Sequence, residues 1–327
     1  MFKILFNIVL GVVLIFIWSR FVNLPQLVST LSKANFIYLV PMFLGMLVSP
    51  VLRAFRLKIF LHKVAKVNLL DLIWLNGIAL MLNFFIPIRA GEIVKGVYLN
   101  THYKLGMGKS IVWIFLDRFI DFLAVLILAG VLLLIIPTSL SGGVIKIIVS
   151  ILSLAVVLTY LVVFQPNFAR KFIKFLRPLF IEKHIKIYFD KFSNFILDSF
   201  SILRRPPKDL LVMGTITVLA YGADASIWYF AFMSLGRNMD FLKMYLGQLL
   251  SALFFLIPAA PGYIGSAEAS GLLILSGVFG IEPNLASAMT VLFHILTILF
   301  VLIYGLVSLF SLRIDLGAIL KKALRRS

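Results

Sequence analysis

Hydrophobic and polar positions along this chain separate on the scale of whole helices rather than single turns. Apolar runs occupy residues 4–20, 36–52, 110–137, 144–164, 210–233 and 286–312. Such runs have the length one helix needs to cross a hydrocarbon layer of about 30 Å. Two further apolar stretches, 68–100 and 244–280, are punctuated by "FFIPIRAGE" (84–92) and "FFLIPAAPGYIGSAE" (254–268). Proline and glycine interrupt helices. The residues expected to break these two are Pro87 and Gly91 in the first, and Pro258, Pro261, Gly262 and Gly265 in the second. Broken backbone at membrane depth survives only where it is buried in protein or lines a watery cavity. The two breaks are therefore expected to surround a site.

Composition agrees with this pattern. The 327 residues are 62% hydrophobic and 13% charged, too apolar for the surface of a soluble domain of that size. The expectation is one all-α polytopic membrane domain over 1–327. The first run, "MFKILFNIVLGVVLIFIWSRF", is long for a signal peptide and lacks a small-x-small cleavage site, so it reads as a retained span. Zero cysteines exclude disulfides, thiolate catalysis and Cys-ligated metal. His62, His102, His184 and His294 show no ligand spacing and read as interfacial or packing residues. No metal and no cofactor are expected.

The net charge of +18 changes the topology more than it suggests a partner. Most of the 31 basic residues fall in 53–66, 89–109, 165–209 and 313–327, and the positive-inside rule makes all four segments cytoplasmic. If 68–88 crossed completely, both 89–109 and 165–209 would lie outside. The conflict disappears if 68–100 enters from the cytoplasm, breaks and returns, and if 244–280 does the same from outside. This gives about six full spans plus two broken re-entrant helix hairpins in an inverted repeat. The halves are 1–137 and 144–312, with both termini cytoplasmic in the plasma membrane. Nucleic acid is not an expected partner; anionic or phosphate-bearing membrane lipids are, and homo-oligomerisation is left open. Within 165–209, Ile185, Tyr188, Phe189, Phe192, Phe195 and Ile196 follow helical spacing among lysines, as an interfacial helix would. Leu316, Ile319, Leu320 and Leu324 repeat that spacing in the basic tail 313–327.

Ionisable residues inside apolar spans cost about 2.5–3.5 kcal/mol each on insertion scales, so each needs a partner or a role. "FLDRFIDFLAV" sets Asp117 and Asp121 four apart on one helix face, with Arg118 three residues before Asp121. That spacing supports either a self-neutralising cluster or an arginine held ready for a lipid phosphate. Arg89, with Glu92, flanks Gly91 at the first break and is the leading phosphate ligand, because its guanidinium fork matches phosphate oxygens. Glu92 and Glu268 fall in the first turn after each break, where a carboxylate caps a helix, balances an arginine or couples to an ion. Asp224 lies mid-span without a local partner and is expected to pair across the bundle. Gly-x-Ser-x-Gly, Walker and His-Glu-x-x-His patterns are all missing, so no enzyme activity is expected.

"NFFIPIRAGEIVKG", "DRFIDFLAVL" and "PAAPGYIGSAEASGLLILSGV", in this order, resemble the lysylphosphatidylglycerol synthase transmembrane region. This is the flippase-like membrane domain also found in multiple peptide resistance factor, and the likeness spans roughly 35–312. It implies a protein that moves lipids between leaflets. In the resistance factor a cytosolic aminoacyltransferase makes the lysyl-lipid that is flipped. The chain read here ends at Ser327 without such a domain, so lysyl-lipid synthesis is not expected of it. The first motif carries Lys95 and Gly96 where an arginine would be expected, which points to a different head-group preference. The expected function is a flippase-like transporter of a phospho- or polyprenyl-phosphate lipid. Arg89 and Arg118 would bind phosphate, and Glu92, Asp117, Asp121, Glu268 and Asp224 would balance charge or couple to an ion. The alternative is a membrane-embedded glycosyl- or phospho-transferase, or its accessory subunit, using a polyprenyl-phosphate donor. A scaffolding subunit would fit the charge cluster but not the paired breaks.

Overall fold

A computed structural model describes residues 2–62, 64–86, 90–179, 206–254 and 260–314, with isolated positions between 186 and 200. Every regular element among them is helical. In chain order these are α1 (Phe2–Ser19), α2 (Leu24–Ser32), α3 (Leu39–Leu61), α4 (Leu69–Phe85), α5 (Ala90–Tyr103) and α6 (Met107–Ile135). There follow α7 (Gly142–Phe164), α8 (Pro166–Leu176), α9 (Pro207–Ser234), α10 (Phe241–Phe254), α11 (Ser266–Leu272) and α12 (Pro283–Leu312). A π-helical stretch, Leu273–Val278, continues α11. Single π turns of this kind often mark functional sites.

Among the described residues five helices are long and apolar enough to cross a membrane: Phe36–Leu61, Met107–Ile135, Gly142–Phe164, Lys208–Ser234 and Pro283–Leu312. The first expected span behaves differently. After Ser19 the chain turns by 87° into α2, so α1 and α2 make a bent pair rather than one straight crossing. The cause is local: Asn23 caps α2 through the Gln26 N–H, and Pro25 sits in its first turn. Asn23 is also tied to the start of α12, its own N–H donating to the Asn284 side chain at 2.7 Å.

The bundle is organised around α3 packed on α9. The short helix α4 packs on α3 and on the long α12; its counterpart α10 packs on α9 and on the long α6. α5 leads into α6, and α11 into α12, each pair packed side by side. Apolar clusters fill the seams, one around Met42, Phe232 and Met289, another around Phe60 and Trp113, a third around Leu126 and Leu246. Large apolar side chains such as Ile147, Ile151 and Leu154 on α7, or Ile303 and Phe310 on α12, stand exposed. A helix face of that kind is made for lipid, not for water.

The ends of the short helices are fastened at opposite ends of the bundle. At one end the Tyr103 hydroxyl accepts from the Asn68 N–H, while Tyr98 and Tyr103 both donate to Asp71. At the other the Ser139 N–H donates to the Val278 carbonyl, and the Asn35 N–H to the Ser234 carbonyl.

Two expectations need correction or limits. The span expected to end at 52 runs on to Leu61, so Arg53 and Arg56 lie inside a helix instead of in a cytoplasmic loop. Their charges are met by carboxylates on other helices, which hydropathy along one chain segment does not register. Pro87, Arg89 and Pro258 lie outside the described residues, as does the tail beyond Ile314. Of the apolar positions expected to form an interfacial helix over 185–196, only Phe189 is described. Before it, α8 carries Phe168, Phe172 and Phe175 exposed along one side, with Arg170 and Lys174 along another.

Candidate functional site

Between the two breaks lies a cavity of about 430 Å³. The first break contributes Asn83, Phe84, Glu92 and Lys95 to its wall, the second Tyr263 and Ala267. The breaks touch across it: the Phe84 and Tyr263 rings meet edge to face at 5.5 Å. α3, α6, α9, α10 and α12 complete the wall.

One side of the cavity is an ion network. Arg56 on α3 is fully buried, and all five of its N–H donors are used. Nε and Nη2 donate to Asp117 Oδ1 at 3.0 and 2.8 Å, and Nη2 also to the Asp117 carbonyl at 3.1 Å. Nη1 donates to Asp121 and, at 2.8 Å, to the Thr217 hydroxyl. Asp117 gives its other oxygen to Arg118 at 2.8 Å, and Asp121 gives its own to Arg118 at 3.2 Å. Arg53 bonds Asp224 on α9 at 2.7 Å, donates to Ser49, and sits over the Tyr221 ring at 5.1 Å. Four cations, Arg53, Arg56, Lys95 and Arg118, thus face four carboxylates, Glu92, Asp117, Asp121 and Asp224. Among the described residues the network is neutral before any ligand arrives. Buried pairs of this kind are strongly destabilised when one partner is removed, by about 3–5 kcal/mol.

Arg118 is the cation that reaches furthest into the open space. Its side chain is 31% exposed, against 0% for Arg56. Its Nε, and Gln248 Oε1 on the cavity wall, lack hydrogen-bond partners among the described residues.

Each break is stitched by a polar side chain. At the first, Asn83 accepts from the Gly91 N–H at 2.9 Å and donates to Glu92 at 3.1 Å. Glu92 also approaches Lys95 Nζ at 3.5 Å. Gly91 is required by contact, because a Cβ there would sit 2.2 Å from the Ala79 carbonyl oxygen on α4. At the second, Glu268 Oε2 accepts from the Gly265 N–H at 2.7 Å, reaching back to cap α11. Its other oxygen meets His294 Nδ1 on α12 at 2.5 Å, and His294 Nε2 meets the Gly262 carbonyl at 2.7 Å. Gly262 and Gly265 have φ of +71° and +84°, a region that glycine enters without penalty.

The structure therefore gathers Glu92, Arg118, Asp121 and Asp224 on the wall of one cavity, holds Asp117 buried behind Arg118, and pairs Asp224 with Arg53 across the bundle. Glu268 stands apart, bonded to His294. Sequence reasoning missed Arg53, Arg56, Asn83, Gln248 and His294. A charge count held part of the signal. Asp117 and Asp121 with Arg118 leave one negative charge unmet at depth, and Asp224 adds another, so two more cations were owed.

The family profile described as "Lysylphosphatidylglycerol synthase TM region" matches residues 4–305. The chain belongs to this family. Among curated members it is similar to a UPF0104 membrane protein of Pyrococcus horikoshii, 24% identical over 87% of this chain and 90% of the relative. A UPF0104 membrane protein of Archaeoglobus fulgidus is 23% identical over 86% of this chain and 88% of that relative. No solved structure matches it. Together with the apolar helices, membership makes this a multi-pass membrane protein, and the family spans both breaks and the ion network.

Proposed function

We propose that this protein is a flippase-like lipid transporter, not an enzyme, which moves a phosphate-bearing lipid between leaflets of the plasma membrane. The observation that carries the reading is Arg118: a guanidinium on the wall of a cavity inside a lipid-facing bundle, its side chain 31% exposed although two carboxylates hold it. The carboxylates already on Arg118 set the mechanism. A phosphate monoanion or dianion entering it exchanges with a carboxylate for the guanidinium fork, so bond strength is traded rather than added. Asp121, which Arg118 holds at 3.2 Å, is the more readily displaced partner than Asp117 at 2.8 Å. Arg89, beside the first break, is the second phosphate ligand in this reading. The acyl or prenyl tails stay in lipid along the exposed helix faces.

The topology belongs to the same proposal. α4 and α5 form a hairpin entering from the cytoplasmic side, and α10 and α11 one entering from outside. Three pairings support an inverted repeat of 1–137 and 144–312: α3 with α9, α4 on α12, and α10 on α6. The basic residues Lys58, Lys66, Lys104 and Lys109 gather where α4 begins and α5 ends, as a cytoplasmic face requires.

Purified protein in proteoliposomes should accelerate the exchange of fluorescent phosphatidylglycerol or polyprenyl-phosphate analogues, and leave a phosphate-free diacylglycerol analogue at the protein-free rate. Arg118→Gln and Arg89→Gln should each slow that exchange at least tenfold while the protein still purifies. Equal acceleration of the phosphate-free lipid, or full activity in both variants, would sink the phosphate reading. Cysteines at Ser141 should label from outside, and those at Lys66 and Thr101 only from inside; outside labelling of Thr101 would remove the hairpin.

A further inference from the structure

The second break holds a proton. His294 is buried between α11 and α12, and both of its ring nitrogens face acceptors: the Glu268 carboxyl at 2.5 Å and the Gly262 carbonyl at 2.7 Å. A neutral imidazole has one N–H donor and one lone pair. Two acceptor partners can be satisfied only if the His294–Glu268 pair carries one proton beyond the neutral ring and the carboxylate. That proton sits either on Nδ1, giving imidazolium and carboxylate, or on Glu268, giving a carboxylic acid that donates to Nδ1. Glu268 cannot turn away to another acceptor arrangement, since its second oxygen is committed to the Gly265 N–H. We propose that Glu268 and His294 form a proton-binding site that clasps the broken segment 262–268 onto α12, and that loss of the proton opens the clasp.

The consequence of deprotonation follows from the same distances. When the proton leaves to water in the cavity, which His294 lines, the neutral ring keeps a single N–H. One of its nitrogens then turns a lone pair on an acceptor: the Gly262 carbonyl at 2.7 Å if the N–H stays on Nδ1, the Glu268 carboxylate at 2.5 Å if it moves to Nε2. Either way one of the two hydrogen bonds from the ring to the broken segment is replaced by repulsion, and that acts on the turn that carries Tyr263 and Ala267, both on the cavity wall. The segment is free to respond, since its φ-positive glycines tolerate other backbone states, and the π stretch after α11 relieves a helix already out of register.

Other titratable groups share the cavity but are bonded elsewhere. Glu92 pairs with Lys95 and Asn83 on the opposite break, and Arg118 with Asp117 and Asp121; Arg53 pairs with Asp224. α4 presents the Phe84 ring to His294 at 6.1 Å. Tyr221 and Tyr263 also line the space. From α1, the neighbour at Gly265 is the Gly11 backbone, which does not titrate.

This inference rests on the transport reading only for what the clasp gates; the clasp itself is testable without lipid movement. Glu268→Gln separates the two. A glutamine keeps the shape, accepts from Gly265 N–H, and offers an amide N–H to a neutral His294 Nδ1, so it holds the clasp shut with no exchangeable proton. Spin labels at Ile264→Cys and Phe310→Cys, exposed positions in a chain without cysteine, read the distance between the broken segment and α12. Wild type should give one distance at about pH 6 and a second population at about pH 9, bracketing the range where histidine exchanges protons. Glu268→Gln should give the first distance at both. In proteoliposomes, wild-type lipid exchange should rise with pH by up to about tenfold per unit, the limit for one linked proton, and Glu268→Gln should be slow and flat. A pH-independent distance in wild type, or a Glu268→Gln that follows pH as wild type does, overturns the clasp. Distances that respond as expected in a protein that moves no lipid leave the clasp standing and remove only the transport reading.

Discussion

The two breaks have the same outline and opposite chemistry. Each interrupts an apolar segment with proline and glycine, and each resumes in a short helix with glutamate in its first turn. At the first, the glutamate faces Asn83 and Lys95 beside a network of fixed charges, where arginines cannot release their protons. At the second, the glutamate is turned inward to its own helix start and to His294. One break is set beside arginine charge that keeps its protons, the other against a histidine that exchanges them. The difference teaches that a repeated backbone device does not fix its function; the residue one helix away decides it.

The contrast breaks most visibly at Arg56. Arg56→Leu leaves Asp117 buried with Arg118 and Asp121 with Arg118 and the more distant Arg53 at 3.9 Å, and should lower stability by about 3–5 kcal/mol. Thermal unfolding in detergent would read this, and Asp121→Asn should restore part of the loss. If Arg56→Leu unfolds no earlier than Glu268→Gln, the ion network beside the first break does not hold the bundle together.

A smaller effect separates the breaks sterically. Gly91→Ala pushes a methyl against the Ala79 backbone at 2.2 Å and should cost about 1–3 kcal/mol by overpacking. Gly265→Ala meets the Gly11 carbonyl oxygen at 2.2 Å and must also hold φ at +84°, so its cost should exceed that of Gly91→Ala. The same unfolding measurement ranks them, and the reverse order would mean that the α4–α5 contact is the tighter of the two.

The smallest effect tests the stitch itself. Asn83→Ala removes a cap from Gly91 and a donor from Glu92, and should cost about 1 kcal/mol. Because amides do not titrate, that loss should be the same across neutral and mildly alkaline pH. A pH-dependent loss would erase the distinction between the breaks.

Much of the fold was legible because lipid imposes simple rules. A helix that crosses lipid must be predominantly apolar along its length, so α6, α7, α9 and α12 appeared near their true limits from hydropathy alone. The breaks were legible because proline and glycine act locally. Asp117, Arg118 and Asp121 were legible as a cluster because i,i+3 and i,i+4 spacing is also local. The bend after Ser19 was overlooked, although Asn23 and Pro25 were there to be read.

The sequence by itself determined that this is a membrane protein, where it breaks, and which carboxylates lie too deep to stand alone. Only the tertiary structure decided who answers them. Arg56 reaches Asp117 across 61 residues, Arg53 reaches Asp224 across 171, and His294 closes on Glu268 from a different helix. Periodicity places a side chain on its own helix, but a buried charge is solved by whichever helix packs against it. That choice belongs to the bundle as a whole, because apolar seams set the packing and the ions must find partners within it.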